Sequence, residues 1–100
     1  ILEAAMLEVE SGLLRRSSVL VAEAEGRILG ALALHGTEIE AIAVRPGRRG
    51  QGVGSELVSE AERRRPHLSA RFDPAVEPFY TALGFESIQE NGRCRGVYTR

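Results

Sequence analysis

The most constraining stretch of this 100-residue chain is Ala41-Ile42-Ala43-Val44-Arg45-Pro46-Gly47-Arg48-Arg49-Gly50-Gln51-Gly52-Val53-Gly54, followed at once by Ser55-Glu56-Leu57-Val58. An apolar alternating run reads as a strand, Pro46 stops it, glycines at every second position make a tight basic turn, and a helical pattern begins. Strand, glycine loop and helix start together predict an anion site. A helix N-terminus leaves its first N–H groups unpaired and carries partial positive charge, and a loop without side chains lets a pyrophosphate reach those groups directly.

The remaining periodicities predict one domain spanning residues 1–100, with no linker, repeat or low-complexity segment. Leu2, Ala5, Met6, Val9, Leu13 and Leu14 recur at helical spacing, which predicts an amphipathic helix over residues 1–14 that ends near Gly12. Residues 19–24 and 27–35 read as strands joined by a Glu25-Gly26 turn. Residues 38–44 alternate, with Glu38, Glu40, Ile42 and Val44 expected on one face and Ile39, Ala41 and Ala43 on the other.

Beyond the glycine loop, Val53, Leu57, Val58 and Ala61 form a helical stripe, the Arg63-Arg64-Arg65 run suits the helix C-terminus, and Pro66 ends the helix. Residues 68–72 form the next strand, expected to lie parallel beside strand 38–44 because a helix crosses over between them. A short helix starting at Pro78 runs to Leu83, with Gly84 as its left-handed cap, and residues 85–88 and 94–99 close the chain as a hairpin through Asn91-Gly92. The fold class is α/β: a mixed central sheet of about six strands covered by helices.

Charge and composition exclude several function classes. A net charge of −1 at pH 7 gives no general case for nucleic acid or an anionic membrane. No apolar run approaches the roughly 18 residues of a membrane span, and no export signal is present, so the chain reads as cytoplasmic. The lone Cys94 permits no internal disulfide, which agrees with a reducing compartment, and packing is its simplest role. His35 and His67 have no partner at metal-ligand spacing, and no metal site is expected. The glycines at 50, 52 and 54 match neither a phosphate-binding P-loop, which needs Gly-Lys-Ser/Thr, nor a Rossmann fingerprint.

Two motifs carry a family resemblance. Val44-Arg45-Pro46 with Arg49-Gly50-Gln51-Gly52-Val53-Gly54 resembles the R/Q-x-x-G-x-G/A signature of the GNAT superfamily of acyl-CoA-dependent N-acyltransferases. Phe79-Tyr80-Thr81-Ala82-Leu83-Gly84-Phe85 is similar to that family's second signature, a tyrosine four residues before Gly-Phe. The match covers residues 19–85 and, loosely, the final hairpin. Family members usually carry a further strand and helix before the segment equivalent to residues 1–14, for which this sequence has no residues. In so short a version of the fold, the partner in a homodimer would supply the acceptor-side wall.

The resemblance implies acetyl-CoA as co-substrate and direct transfer of its acetyl group to a primary amine, on a small molecule or peptide, in a ternary complex. The backbone of Arg49, Gly50, Gln51, Gly52, Val53, Gly54 and Ser55 would take the pyrophosphate. In the family the strand ending at Val44 splays from its parallel neighbour, so Ile42, Ala43 and Val44 would meet the pantetheine arm. The Val44 N–H would hold the thioester oxygen as it becomes an oxyanion, a contact typically contributing about 3 to 4 kcal/mol.

Tyr80 is the expected general acid for the departing thiolate, a role contributing roughly a hundred- to ten-thousand-fold. Glu38, six residues before Val44, and Glu40 are the candidate general bases, or else attract a cationic acceptor. Asp73 stands where the family often has asparagine. The alternative function is a non-catalytic acyl-CoA-binding sensor or subunit.

Overall fold

The computed structural model describes residues 17–100 and the backbone of residues 5–10. Strands β1 (Ala5–Glu10), β2 (Ser17–Ala24), β3 (Arg27–His35) and β4 (Glu38–Val44) form an antiparallel meander. Helix α1 (Val53–Arg64) crosses to β5 (His67–Phe72), helix α2 (Glu77–Ala82) follows, and β6 (Glu86–Glu90) and β7 (Arg93–Thr99) complete a sheet of seven strands among the described residues. The strand order is β1-β2-β3-β4-β5-β7-β6, with β7 inserted between β5 and β6. β4 and β5 are parallel, as the crossover predicts.

The expected helix over residues 1–14 is corrected where the structure describes it, because residues 5–10 form a strand. Ala5, Leu7 and Val9 also alternate at period two, so the apolar positions fit both templates. Pairing along β2, from Ala5 opposite Glu23 to Glu10 opposite Ser18, decides between them. The rest of that expected helix lies outside the described residues.

Local chemistry sets the turns. Glu25-Gly26 and Asn91-Gly92 both take two consecutive positive φ angles, 54° and 74°, and 53° and 78°, as tight two-residue hairpins require. α1 buries the expected stripe of Val53, Leu57, Val58 and Ala61. They pack with Leu20, Leu32, Leu34, Leu68, Ala70 and Phe72 in one apolar cluster on a single face of the sheet. α2 begins at Glu77, one residue before Pro78, and the carboxylate of Glu77 accepts a hydrogen bond from Ser87 Oγ. That contact ties the short helix to β6.

Two glycines make close packing possible. A Cβ on Gly30 would lie 2.8 Å from the Ala43 carbonyl oxygen and 2.9 Å from Val53 Cγ1, so the bare backbone lets α1 approach the sheet. On β7, a Cβ at Gly96 would lie 2.9 Å from Phe72 Cε2. The missing side chain makes room for the Phe72 ring, which matters below.

Candidate active site

The site begins with an irregularity in β4. The register runs Gly30 opposite Val44, Ala31 opposite Ala43, Leu32 opposite Ile42 and Ala33 opposite Ala41, then jumps to Leu34 opposite Ile39. Glu40 is therefore the extra residue of a β-bulge. The single shared face expected for Glu38, Glu40, Ile42 and Val44 is corrected by it. Ile39, 5% exposed, turns into the core that Ile42 and Val44 pack against, while Glu38 takes the opposite face with Ser69.

A second consequence concerns the parallel neighbour. β4 and β5 pair at only two positions, Glu38 opposite Ser69 and Ile39 opposite Ala70, after which the strands part. The N–H of Arg45 donates to the Leu29 carbonyl at 2.8 Å, toward β3. Strand alternation then points the N–H and C=O groups of Ile42 and Val44 the other way, into the gap. This gap is a cavity of about 520 Å³ whose lining includes Glu40, Ala41, Ile42, Ala43, Val44, Phe72, Phe79 and Tyr80.

The glycine loop continues the same opening. Pro46–Arg48 makes a single 3₁₀ turn, and Gly50 and Gly52 take φ of +79° and +84°, with Gly52 as the N-cap of α1. The first helical bond runs from the Glu56 N–H to the Gly52 carbonyl at 3.0 Å, so the N–H groups of Val53, Gly54 and Ser55 precede the ladder. They open toward a recess of about 350 Å³ lined by Arg48, Arg49, Gly50, Gly52, Gly54 and Ser55. Gln51 instead turns back, donating from Nε2 to the Gly47 carbonyl at 3.5 Å, and braces the loop. Val53 is 1% exposed and anchors the helix start in the core.

Val44, Arg49, Gly54 and Phe79 line both cavities, so the loop recess and the strand gap form one continuous groove. Gly54 lies where the two cavities meet. A Cβ there would sit 3.5 Å from the Phe79 ring and 3.8 Å from Ile42 Cδ1. A glycine loop at a helix start, a strand edge with exposed backbone amides and an apolar chamber fit a diphosphate carried on a long amide-containing arm.

Tyr80 stands at the chamber end of that groove. Its ring stacks on Phe72 with centroids 4.2 Å apart and meets Phe79 and Phe85 edge-on at 5.1 and 5.3 Å. Burial raises its hydroxyl above the usual phenol pKa, because the phenolate would lose hydration. Of the two candidate bases, Glu40 lines the gap, while Glu38 lines a separate recess with Ser69, Arg71 and Arg95. Asp73 caps the 3₁₀ turn Pro74–Val76, its Oδ1 accepting from the Ala75 N–H at 2.9 Å.

Sequence reasoning missed Arg71 and Phe72 as lining residues. Phe72 carried only a strand signal, and Arg71, an isolated arginine in that strand, carried none. Cys94 is 1% exposed and its thiol lies 3.6 Å from Glu77 Oε2, in keeping with a packing role.

A mixed sheet parted between parallel strands, with a glycine loop at the mouth of the gap, defines a protein of the acyl-CoA-binding acyltransferase class. The Acetyltransferase (GNAT) domain family matches residues 15–87 of the sequence, and the chain belongs to that family. Its fold is similar to a GNAT family acetyltransferase from Elizabethkingia anophelis with acetyl-CoA bound, at a TM-score of 0.78 and 16% identity over 97% of this chain and 98% of that one. It is equally similar to an acetyltransferase from Bacillus subtilis in complex with CoA, at a TM-score of 0.78 and 18% identity over 98% and 99% of the two chains. An acetyltransferase from Bacillus cereus, described as an IAA acetyltransferase, aligns over 98% of this chain and all of its own at a TM-score of 0.67 and 19% identity. Among curated protein sequences none matches this one.

Proposed function

We propose that this GNAT-family protein is an N-acetyltransferase that moves the acetyl group of acetyl-CoA to a primary amine by direct attack in a ternary complex. The observation that carries the reading is the groove itself, in which β4 and β5 part after two paired positions and the opening runs without a break into the glycine loop. The structures of the Elizabethkingia and Bacillus subtilis relatives, which hold acetyl-CoA and CoA, support the choice of co-substrate.

The residues divide the work along the groove. Backbone groups of residues 49–55 take the pyrophosphate at the N-terminus of α1, with Arg49 at the junction of the two cavities to add its charge. Ile42 and Val44 offer the pantetheine amides the strand edge that β5 has left, and Ala43 lines the gap beside them. The Val44 N–H stabilises the developing oxyanion and Tyr80 gives its proton to the leaving sulfur. Glu40 is better placed than Glu38 to take the proton of the attacking amine, because it is the one that borders the gap.

The test is release of free thiol from acetyl-CoA in the presence of a panel of primary amines. Acetyl-CoA-dependent acetylation of at least one amine is the expected result. Tight acetyl-CoA binding without turnover on any of them would make the protein a sensor or subunit instead. The proposal carries with it a cytoplasmic location, motivated by the lone Cys94, and a homodimer, which solution mass with and without acetyl-CoA decides. Among the described residues no helix is long and apolar enough to cross a membrane.

A further inference from the structure

We propose that Arg71 and Arg95 form an oxyanion subsite for the acceptor, so that the amine acetylated by this protein carries a carboxylate or phosphate group. The proposal rests on the acyl-transfer reading and names the substrate class of that same site.

Alternation along two strands sets the two arginines on one face. On β5, Leu68, Ala70 and Phe72 enter the core, which leaves Arg71 exposed on the face opposite the helices. On β7, Cys94 and Gly96 are buried, which leaves Arg93 and Arg95 exposed on that same face. Arg71 and Arg95 are direct register partners. Like charges opposite each other across a sheet repel, and neither guanidinium has an ion pair or hydrogen bond among the described residues. The pair therefore stands as two adjacent positive charges at a fixed place, with Glu38 and Glu90 bordering the recesses but ion-paired to neither arginine among the described residues.

That place adjoins the reaction site. Arg71 lines the gap between β4 and β5 together with Glu40. It also lines two recesses shared with Arg95, one of about 340 Å³ bordered by Glu38 and Ser69 and one of about 310 Å³ bordered by Arg93 and Glu90. A ligand with its amine at the Glu40 end of the gap would reach Arg71 on the flanking strand. Arg95 lies one strand spacing further, about 4.8 Å. Guanidinium groups present parallel N–H donors that match carboxylate and phosphate oxygens, and an oxyanion between them would cancel the cross-strand repulsion. The net charge of −1 and the confinement of the cluster to one edge of the gap favour a small ligand over a polyanion track.

The test sets the protein amino acids that carry a primary amine and a single carboxylate, together with O-phosphoethanolamine, against their decarboxylated or dephosphorylated amines, with acetyl-CoA and mass-spectrometric detection of acetylated product. The expected result is that at least one carboxylate- or phosphate-bearing amine is acetylated with a kcat/KM at least about tenfold above its stripped counterpart, and the two sets separate carboxylate from phosphate. Arg95→Gln, an exposed strand residue outside the gap, should raise KM for that amine about ten- to a hundredfold while acetyl-CoA affinity by calorimetry is retained. Equal rates on stripped and intact amines, or equal losses on both in Arg95→Gln, would overturn the subsite and leave acyl transfer standing. If no amine is acetylated, acyl transfer fails. Calorimetry of N-acetylglycine and O-phosphoethanolamine on the CoA-loaded protein then decides the subsite separately, through binding lost in Arg95→Gln or no binding at all.

Discussion

Tyr80 is held by three aromatic neighbours rather than by a charged partner, which shapes what it can do. Stacking on Phe72 and edge contacts with Phe79 and Phe85 fix its ring plane, and burial keeps the hydroxyl protonated beyond the ordinary 10.0. A phenol in that state suits an acid that must arrive with its proton. We therefore expect Tyr80→Phe to lower kcat by about a hundredfold or more while acetyl-CoA affinity by calorimetry changes little, since only one oxygen is removed. Equal turnover would remove Tyr80 from the reaction. The same shift has a sign for stability. The unfolded chain gives up the phenolic proton before the folded one, so the contribution of the buried neutral ring is fully present below pH 10 and declines above it. Denaturant midpoints should fall more steeply with alkaline pH in the wild type than in Tyr80→Phe. The identity of this residue was legible in sequence from its spacing to Gly84-Phe85, whereas its aromatic surroundings, drawn from β5, α2 and the segment before β6, were not.

At the scale of elements, the legible parts are those encoded locally. The turn dipeptides Glu25-Gly26 and Asn91-Gly92, the α1 stripe and the Gly84 cap each declare themselves within a few residues, and each is found as expected, Gly84 with φ of +94°. The bulge at Glu40 is different, because nothing within residues 38–44 marks an extra residue and only pairing with β3 creates it. Arg71 and Arg95 are far apart in sequence and meet only through the β5–β7 register. Gly30 and Gly96 likewise look like weak strand residues until the opposing element is seen. Gly96 bears on the site, because the Phe72 ring that supports Tyr80 occupies its space. Gly96→Ala would press a methyl onto that ring and should cost about 1–3 kcal/mol in chemical denaturation, with a loss of activity greater than the unfolded fraction explains. Gly54→Leu makes the complementary case in the groove. Its side chain would extend from a point 3.5 Å from Phe79 into the groove, so acetyl-CoA binding should fall by at least about tenfold by calorimetry with the thermal midpoint nearly kept.

Among the described residues the sheet consists of two halves, β1 to β4 and β5 to β7, joined in its plane by only two paired positions. What holds them is α1, which lies over β2, β3, β4 and β5 and drives Leu57 and Val58, both fully buried, into the common core. This explains how a domain of this size keeps a gap in its sheet: the hydrogen bonds missing between β4 and β5 are offset by apolar burial on one face. A ligand seated in the gap would add strand-like hydrogen bonds to β4 and apolar contact with β5 and α2, linking the halves at the place where the protein does not. Acetyl-CoA at about a hundred times its dissociation constant should then stabilise the fold by about 2.7 kcal/mol, the value for one site that exists only in the native state. In Leu57→Ala, where the clamp is weakened by about 2–5 kcal/mol, the same relative saturation should restore a single cooperative transition if ligand-free unfolding has become biphasic. Thermal unfolding followed by circular dichroism, with and without acetyl-CoA, measures both. A mutant transition that stays biphasic at saturation would mean that the ligand engages one half-sheet alone, and would move the acyl arm out of the gap and onto the glycine loop side of the groove.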